Sequence, residues 1–226
     1  MSFDGFPPAT VRFLAGISSH NDRDWFDSHR DLYEQAWLEP AKDFVVASGD
    51  ALADIAPMVV ADPRVNGSIF RINRDTRFSP DKRPYKDHLD LWFWEGERKD
   101  AISGWFARIT AKQVVIGVGS HGFDRKQLAT YRERVADPRD GARLLDGVRT
   151  VRRAGFPVKG EHYRRTPKGY DELEGERERL IRHNALYASV ELAHPKSLSS
   201  SRFVDFCMTR WRKMTPLHRW LVDRPA

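Results

Sequence analysis

The sequence predicts an α+β fold. We expect one domain over residues 1–226, with a mostly antiparallel sheet of about four to six strands packed by N-terminal and C-terminal helices. Apolar residues recur at helical spacing in the first third of the chain, alternate with polar ones in the middle, and return to helical spacing afterwards. The connections at 96–100 and 111–113 suffice for hairpins but are too short for parallel crossovers, so the strands should be antiparallel.

The first third is expected to be helical. Thr10 is placed to cap a first helix and Asn21 a second, because short polar side chains accept hydrogen bonds from the unpaired N–H groups at a helix start. Pro40 suits the first turn of a third helix, and Pro57 ends its apolar pattern.

Alternating and β-branched residues predict the strands of the middle and late chain. These are Ser68–Ile72, Leu89–Glu95, Ile102–Thr110, Val114–Gly119 and Tyr187–Leu192. Asp124 and Asp137 are placed to cap two helices that follow the sheet, and the chain should close with a helix carrying Phe203 and Trp211 and a last turn begun by Pro216.

Composition narrows the class of protein. The net charge is +6 with a pI near 9.5, which favours anionic partners. Cys207 is the only cysteine, so no intrachain disulfide can form, and its apolar neighbours predict a buried thiol. No apolar run is long enough to cross a bilayer and the first residues do not resemble a secretory signal, so we expect a cytoplasmic protein without a membrane partner.

The most informative part of the sequence is the arginine-rich segment Phe70–His88, which reads FRINRDTRFSPDKRPYKDH. Six basic residues oppose three aspartates, which gives this segment a net charge of +3, half that of the whole chain. The segment joins two predicted strands and is longer than a hairpin requires, as is common for loops that bind a ligand.

Arginine presents paired donors that fit phosphate or carboxylate oxygens, so the segment predicts an anion site for phosphate, a nucleotide or nucleic acid. Phe78 and Tyr85 could stack on a base or ring. A structural network of ion pairs explains the same composition and stays open as the alternative. A second basic block supplies two further residues. The predicted ligand-binding residues are Arg71, Asn73, Arg74, Arg77, Lys82, Lys86, Arg165 and Lys168.

Two other functions remain compatible with these residues. In a metal-dependent phosphoryl-transfer or phosphodiester-cleaving enzyme, Asp75 or Asp81 would be base or metal ligand, Lys82 and Arg74 would steady negative charge, and Tyr85 would be the acid. A magnesium site formed with Asp22 and Asp24 is the corresponding metal hypothesis. In an interaction module, the same surface would meet an acidic protein. The scattered histidines show no metal-binding spacing, and no cofactor can be named.

One nucleotide-binding signature is present but lies in the wrong context. Residues 117–122 fit G-x-G-x-x-G, yet strands joined by hairpins surround them instead of the alternation of strand and helix that a dinucleotide fold requires. We expect these glycines to permit a bulge and a turn.

Several motifs together resemble an uncharacterised family, domain of unknown function 2461, over nearly the whole chain. They are Gly5-Phe6, Asn21 to Phe26, Phe70 to His88, Arg165 to Tyr170 and Pro216 to Leu221. The resemblance implies a single-domain protein with fixed motif positions between Arg71 and Lys86, and it implies no activity.

Overall fold

The computed structural model of the chain describes residues 2–223. Its α-helices are α1 Pro8–Ser19, α2 Arg23–Ser28, α3 Arg30–Tyr33, α4 Glu39–Ala53, α5 Arg125–Ala136, α6 Pro138–Arg153, α7 Gly175–Ile181 and α8 Arg202–Val222. A π-helical turn at Glu34–Leu38 and a 3-10 turn at Lys196–Ser199 complete the helical part. The strands are β1 Val59–Val60, β2 His88–Glu95, β3 Gly104–Thr110, β4 Gln113–Ser120, β5 Val158–Glu161 and β6 His183–Ala193.

The strands form one open, antiparallel sheet in the order β1-β2-β3-β4-β6-β5, with helices before and after it in the chain. At one edge Val60 lies opposite Trp94, and at the other Val158 lies opposite Ala188. The predicted α+β class and the antiparallel sheet are therefore confirmed.

The first two helix caps differ from the prediction. Pro7 precedes α1, so Thr10 lies inside the helix and its buried hydroxyl donates to the carbonyl of Ala36. Asp22, one residue after the predicted Asn21, caps α2 by accepting from the N–H of Trp25. The two aspartates expected to cap α5 and α6, by contrast, do so.

The predicted strand Ser68–Ile72 forms only one rung. Ile69 bridges Leu91, and the N–H of Phe70 donates to the carbonyl of Asp90, after which the chain leaves the sheet. β6 begins before the predicted Tyr187. Both of its faces are buried near its start, so the residues there do not alternate between apolar and polar, and the sequence did not mark them as a strand. α8 continues through Pro216 instead of ending before it.

The chain divides into two compact units, so the single domain stays a prediction. The first unit comprises Met1–Gly96, Phe106–Ile116 and Glu191–Thr209, and the second comprises Glu97–Trp105, Gly117–Val190 and Arg210–Ala226. Rings of Phe6, Phe44 and Phe203 form the core of the first, with centroids 5.4 to 5.9 Å apart. Each such buried ring contributes about 1.5–3 kcal/mol of stability.

In the second unit Trp105 and Tyr131 are buried and satisfy their polar atoms. The indole N–H of Trp105 donates to the hydroxyl of Thr215, and the hydroxyl of Tyr131 donates to the carbonyl of Leu180. Buried polar groups without partners would cost about 1–3 kcal/mol each, so these bonds let large rings enter the core.

Gly117 and Gly119 of the glycine-rich stretch lie in β4, where a strand was predicted, and Gly122 follows its end. Gly119 lies in β4 at φ +128°, and a Cβ there would come within 2.3 Å of the carbonyl oxygen of Leu186. Only glycine allows β4 to approach its neighbour this closely at that backbone angle. Cys207 is fully buried, as predicted. Among residues 2–223, no helix has the length and apolar character needed to cross a membrane.

Candidate anion-binding site

The arginine-rich segment folds as an irregular two-stranded ribbon, which we call the ribbon, over residues 70–88. The N–H of Lys86 donates to the carbonyl of Ile72, the N–H of Arg74 donates to the carbonyl of Pro84, and Asn73 bridges Tyr85 between them. Residues 75–83 form its tip. Its root continues into β2 at His88.

Asn21 anchors the ribbon to the end of α1. Its side-chain amide donates to the carbonyl of Tyr85 at 3.1 Å, and its side-chain oxygen accepts from the N–H of Tyr85 at 3.0 Å. The ring of Tyr85 is buried and stacks on Phe26 with centroids 4.4 Å apart. The tyrosine proposed to stack on a base, or to act as an acid, is thus part of the packing beneath the ribbon.

At the root, three basic side chains contact one carboxylate. Lys86, His88 and Arg108 lie around Asp90, and together with Arg71, which lies close to Lys86, they form a group that we call the root cluster. Arg108 Nε lies 2.5 Å from Asp90, His88 Nε2 lies 3.1 Å from it and Lys86 Nζ 3.9 Å. His88 Nδ1 faces Asp87 at 2.9 Å, so the imidazole lies between two carboxylates.

Burial and neighbouring charges shift two pKa values in the root cluster. Burial lowers the pKa of Lys86, and the neighbouring Arg108 and Arg71 lower it further against the opposing effect of Asp90. Burial alone would raise the pKa of Asp90, but hydrogen bonds from His88 and Arg108 outweigh it and bring that pKa to about 2. Asp90 is therefore ionised at neutral pH and holds its cations in place.

Arg71 is exposed, as is Arg108, but unlike Arg108 it takes part in no ion pair within residues 2–223. It lies close enough to Lys86, and to Asp75 at the tip, to lower the pKa of each. Arg71, Lys86 and Arg108 carry three positive charges, against two negative charges on Asp87 and Asp90. The ammonium of Lys86 also lies 5.1 Å from the centre of the Phe70 ring, a cation–π contact that fixes its position.

At the tip, a short Asp-x-Arg pattern orients the arginines. In Asp75-Thr76-Arg77 the carboxylate accepts from both the backbone N–H and the guanidinium of Arg77, and Asp81-Lys82-Arg83 repeats the arrangement. Arg77 lowers the pKa of Asp75 to about 2, and Arg83 lowers that of Asp81 further still. Each arginine uses Nε and Nη2 for its aspartate, so Nη1 is directed away from it.

Two of the predicted ligand-binding residues brace the tip from inside. Arg74 lies 2.9 Å from Asp81 and donates to the carbonyl of Arg83, while the ammonium of Lys82 donates to the carbonyl of Thr76. These bonds close the loop across its base. The basic side chains of the ribbon thus fall into two groups, one at the root and one at the tip.

Phe78 is the most exposed large apolar side chain of the described chain. Its relative exposure is 93%, and the guanidinium of Arg77 lies 5.8 Å from its ring centre. A ring in this position contributes nothing to the core, so the tip presents an aromatic surface flanked by positive charge.

The residues proposed for catalysis are arranged for other tasks. Asp75 and Asp81 are bound to arginines, and carboxylates with such low pKa values are weak proton acceptors at neutral pH. Asp22 caps α2. No group of three or more histidine, cysteine or acidic residues with metal-binding geometry occurs between residues 2 and 223.

The second basic block belongs to the second unit. Arg165 and Lys168 are exposed on the loop between β5 and α7 and form no ion pair with any described residue. Upstream, Arg149 and Arg152 both bind Glu176 and so are partly neutralised.

Sequence reasoning missed Asp90 and Arg108, the centre of the root cluster. Both lie in strands with alternating burial, on positions flanked by buried residues. The alternation of apolar and polar residues indicates that both side chains lie on the more exposed face of the sheet. It does not indicate that they meet, because this depends on the pairing of β2 with β3.

The chain matches the family described as conserved hypothetical protein (DUF2461) over residues 9–220, nearly its whole length. No curated protein and no solved structure matches it.

Proposed function

The chain belongs to the DUF2461 family, and because that description assigns no activity, we propose from the geometry that the protein binds phosphate groups of an anionic ligand through the ribbon, with the root cluster as the primary site. The observation that carries the proposal is the excess of basic side chains around Asp90, with Arg71 exposed and outside any ion pair within residues 2–223.

Arg71 and Arg108 both lie close enough to Lys86 to affect its pKa, so three cations are held near one another. Burial is the main reason that the pKa of Lys86 is lowered, and repulsion from Arg108 and Arg71 lowers it further against the attraction of Asp90. An incoming phosphate relieves this repulsion and accepts hydrogen bonds from guanidinium and ammonium groups at once. The cation–π contact with Phe70 and the bond between Arg108 and Asp90 orient two of the donors before the ligand arrives, which reduces the entropic cost of binding.

Pyrophosphate is a suitable first probe because it carries the chemistry without a base or sugar. Isothermal titration calorimetry should detect binding that weakens as the salt concentration is raised, since counterions compete for the same charges. Arg71→Ala should weaken it roughly five- to tenfold, the effect of one exposed charge-assisted contact.

Arg202→Ala is the matched control. Arg202 is exposed in the same unit and forms no ion pair within residues 2–223, so its replacement removes the same charge from outside the ribbon. Absence of pyrophosphate binding at low salt, or equal losses in the two variants, would refute a phosphate site at the root.

A further inference from the structure

The basic residues of the ribbon lie in two groups, at its root and at its tip, and do not surround a single pocket. This arrangement favours a ligand with more than one phosphate group. At the root Lys86 and Arg108 lie beside Asp90, whereas Arg77 and Arg83 are held by Asp75 and Asp81 at the tip. A single phosphate group binds at one of these places. A polymer with repeated phosphates can reach both, and each added phosphate contact raises its affinity and its dependence on salt.

The tip also carries an exposed aromatic ring, which the binding of phosphate groups does not require. Phe78 projects its whole ring into solvent between Arg77 and Pro80, although exposing a phenylalanine gains nothing for folding. Base stacking on an aromatic ring requires a base whose face is accessible, which is available in a single strand and not within an intact duplex.

The Asp-x-Arg pairs hold the flanking donors ready. Asp75 and Asp81 bind Nε and Nη2 of Arg77 and Arg83, so each guanidinium is oriented while part of it stays available to a phosphate oxygen. Arg74 and Lys82 brace the loop that carries them. A tip stiffened in this way presents the ring of Phe78 with little loss of conformational freedom on binding.

We infer that the ligand of the ribbon is a single-stranded nucleic acid, with a base stacked on Phe78 and its phosphates bound by Arg77 and Arg83 at the tip and by Arg71 and Lys86 at the root. This inference rests on the phosphate site proposed above and names its ligand class.

Fluorescence anisotropy with a labelled thymidine strand of about 12 nucleotides tests it, a length within the range that single-strand sites usually occupy. We expect the wild type to bind the strand more tightly than a duplex of the same length. Phe78→Ala should weaken strand binding by about 5- to 100-fold, the usual effect of losing one stacked base, and Phe78→Trp should restore it. Met58→Ala is the control, because Met58 is also highly exposed in the same unit but lies outside the ribbon.

An abasic strand of the same length separates stacking from charge. It keeps the phosphates and lacks the bases, so the wild type and Phe78→Ala should bind it equally. Equal binding of the base-containing strand by these two proteins would overturn the inference, as would preference for duplex. A third result would also overturn it: the wild type binds anionic vesicles but no strand, and Phe78→Ala no longer binds the vesicles.

The two proposals fail in different ways. If pyrophosphate binds and depends on Arg71 while the strand shows no dependence on Phe78, the phosphate site stands and the single-strand ligand is wrong. If neither pyrophosphate nor the strand binds, both are wrong.

Discussion

The side chain of Asn21 pairs with the backbone of Tyr85 through both its donor and its acceptor, as a neighbouring strand would. The same amide also donates to the carbonyl of Ile17, so one residue joins the end of α1 to the ribbon. The ribbon carries the proposed site, and its position depends on this contact and on the stacking of Tyr85 on Phe26.

Replacing Asn21 should therefore affect stability and binding together. Asn21→Ala leaves the backbone groups of Tyr85 without their partner, and we expect a loss of about 1–3 kcal/mol in the free energy of unfolding. Urea denaturation measures it. Asn73→Ala is the control, because that exposed side chain makes no hydrogen bond within residues 2–223 and its loss should change stability by no more than about 0.5 kcal/mol. Equal stabilities of the two variants would contradict the anchoring role.

Asp90→Asn should change anion binding in the opposite direction from Arg71→Ala. The amide keeps the shape of the side chain but removes the negative charge among the cations, so pyrophosphate affinity at low salt should rise several-fold. The free energy of unfolding should fall by about 1–3 kcal/mol, since Arg108 loses its charged partner.

Calorimetry at low and high salt tests the first effect and urea denaturation the second. Asp4→Asn makes the same charge change at an exposed position in the same unit and should leave both nearly unaltered. Weaker pyrophosphate binding by Asp90→Asn would contradict the prediction. It would mean that Asp90 mainly orients the basic side chains and competes little with pyrophosphate for them.

Arg134 holds the end of α8 in the second unit. Its Nε lies 2.6 Å from the buried carboxylate of Asp140, its Nη2 donates to the carbonyl of Trp220, and its guanidinium lies 4.0 Å from that indole. Arg134→Ala should cost about 3–5 kcal/mol, as for breaking other buried pairs. Exposed Arg139, whose side chain forms no ion pair within residues 2–223, is the control. A thermal unfolding midpoint that falls equally in both variants would contradict this role.

His183 should make stability depend on pH. Burial lowers its pKa from 6.5 to about 4, so between these values the unfolded chain binds a proton that the folded chain does not. Stability contributed by the neutral ring is complete above pH 6.5 and falls as the pH drops towards 4, by up to about 1.4 kcal/mol per pH unit.

Urea denaturation at several pH values across this window measures the effect. His183→Leu should lose this part of the slope, whereas His162→Gln, at an exposed position in the same unit, should retain it. Parallel slopes for wild type and His183→Leu would show that other groups cause the pH dependence.

Four features could be predicted from the order of the residues alone: the α+β class, the antiparallel strands, the caps at Asp124 and Asp137, and the place where positive charge accumulates. These features follow from local backbone geometry, because period, turn length and capping chemistry act over a few residues. The family resemblance could also be read from motifs along the chain.

Which of the basic residues meet depends instead on how the chain packs in three dimensions. Arg108 reaches Asp90 because β3 lies beside β2, and Tyr85 is buried because Phe26 lies against it. Such contacts join residues far apart in the chain, and they depend on how whole elements pack. Charge, size and spacing within a segment constrain that packing only weakly, so the sequence located the ribbon but could not divide its cations between root and tip.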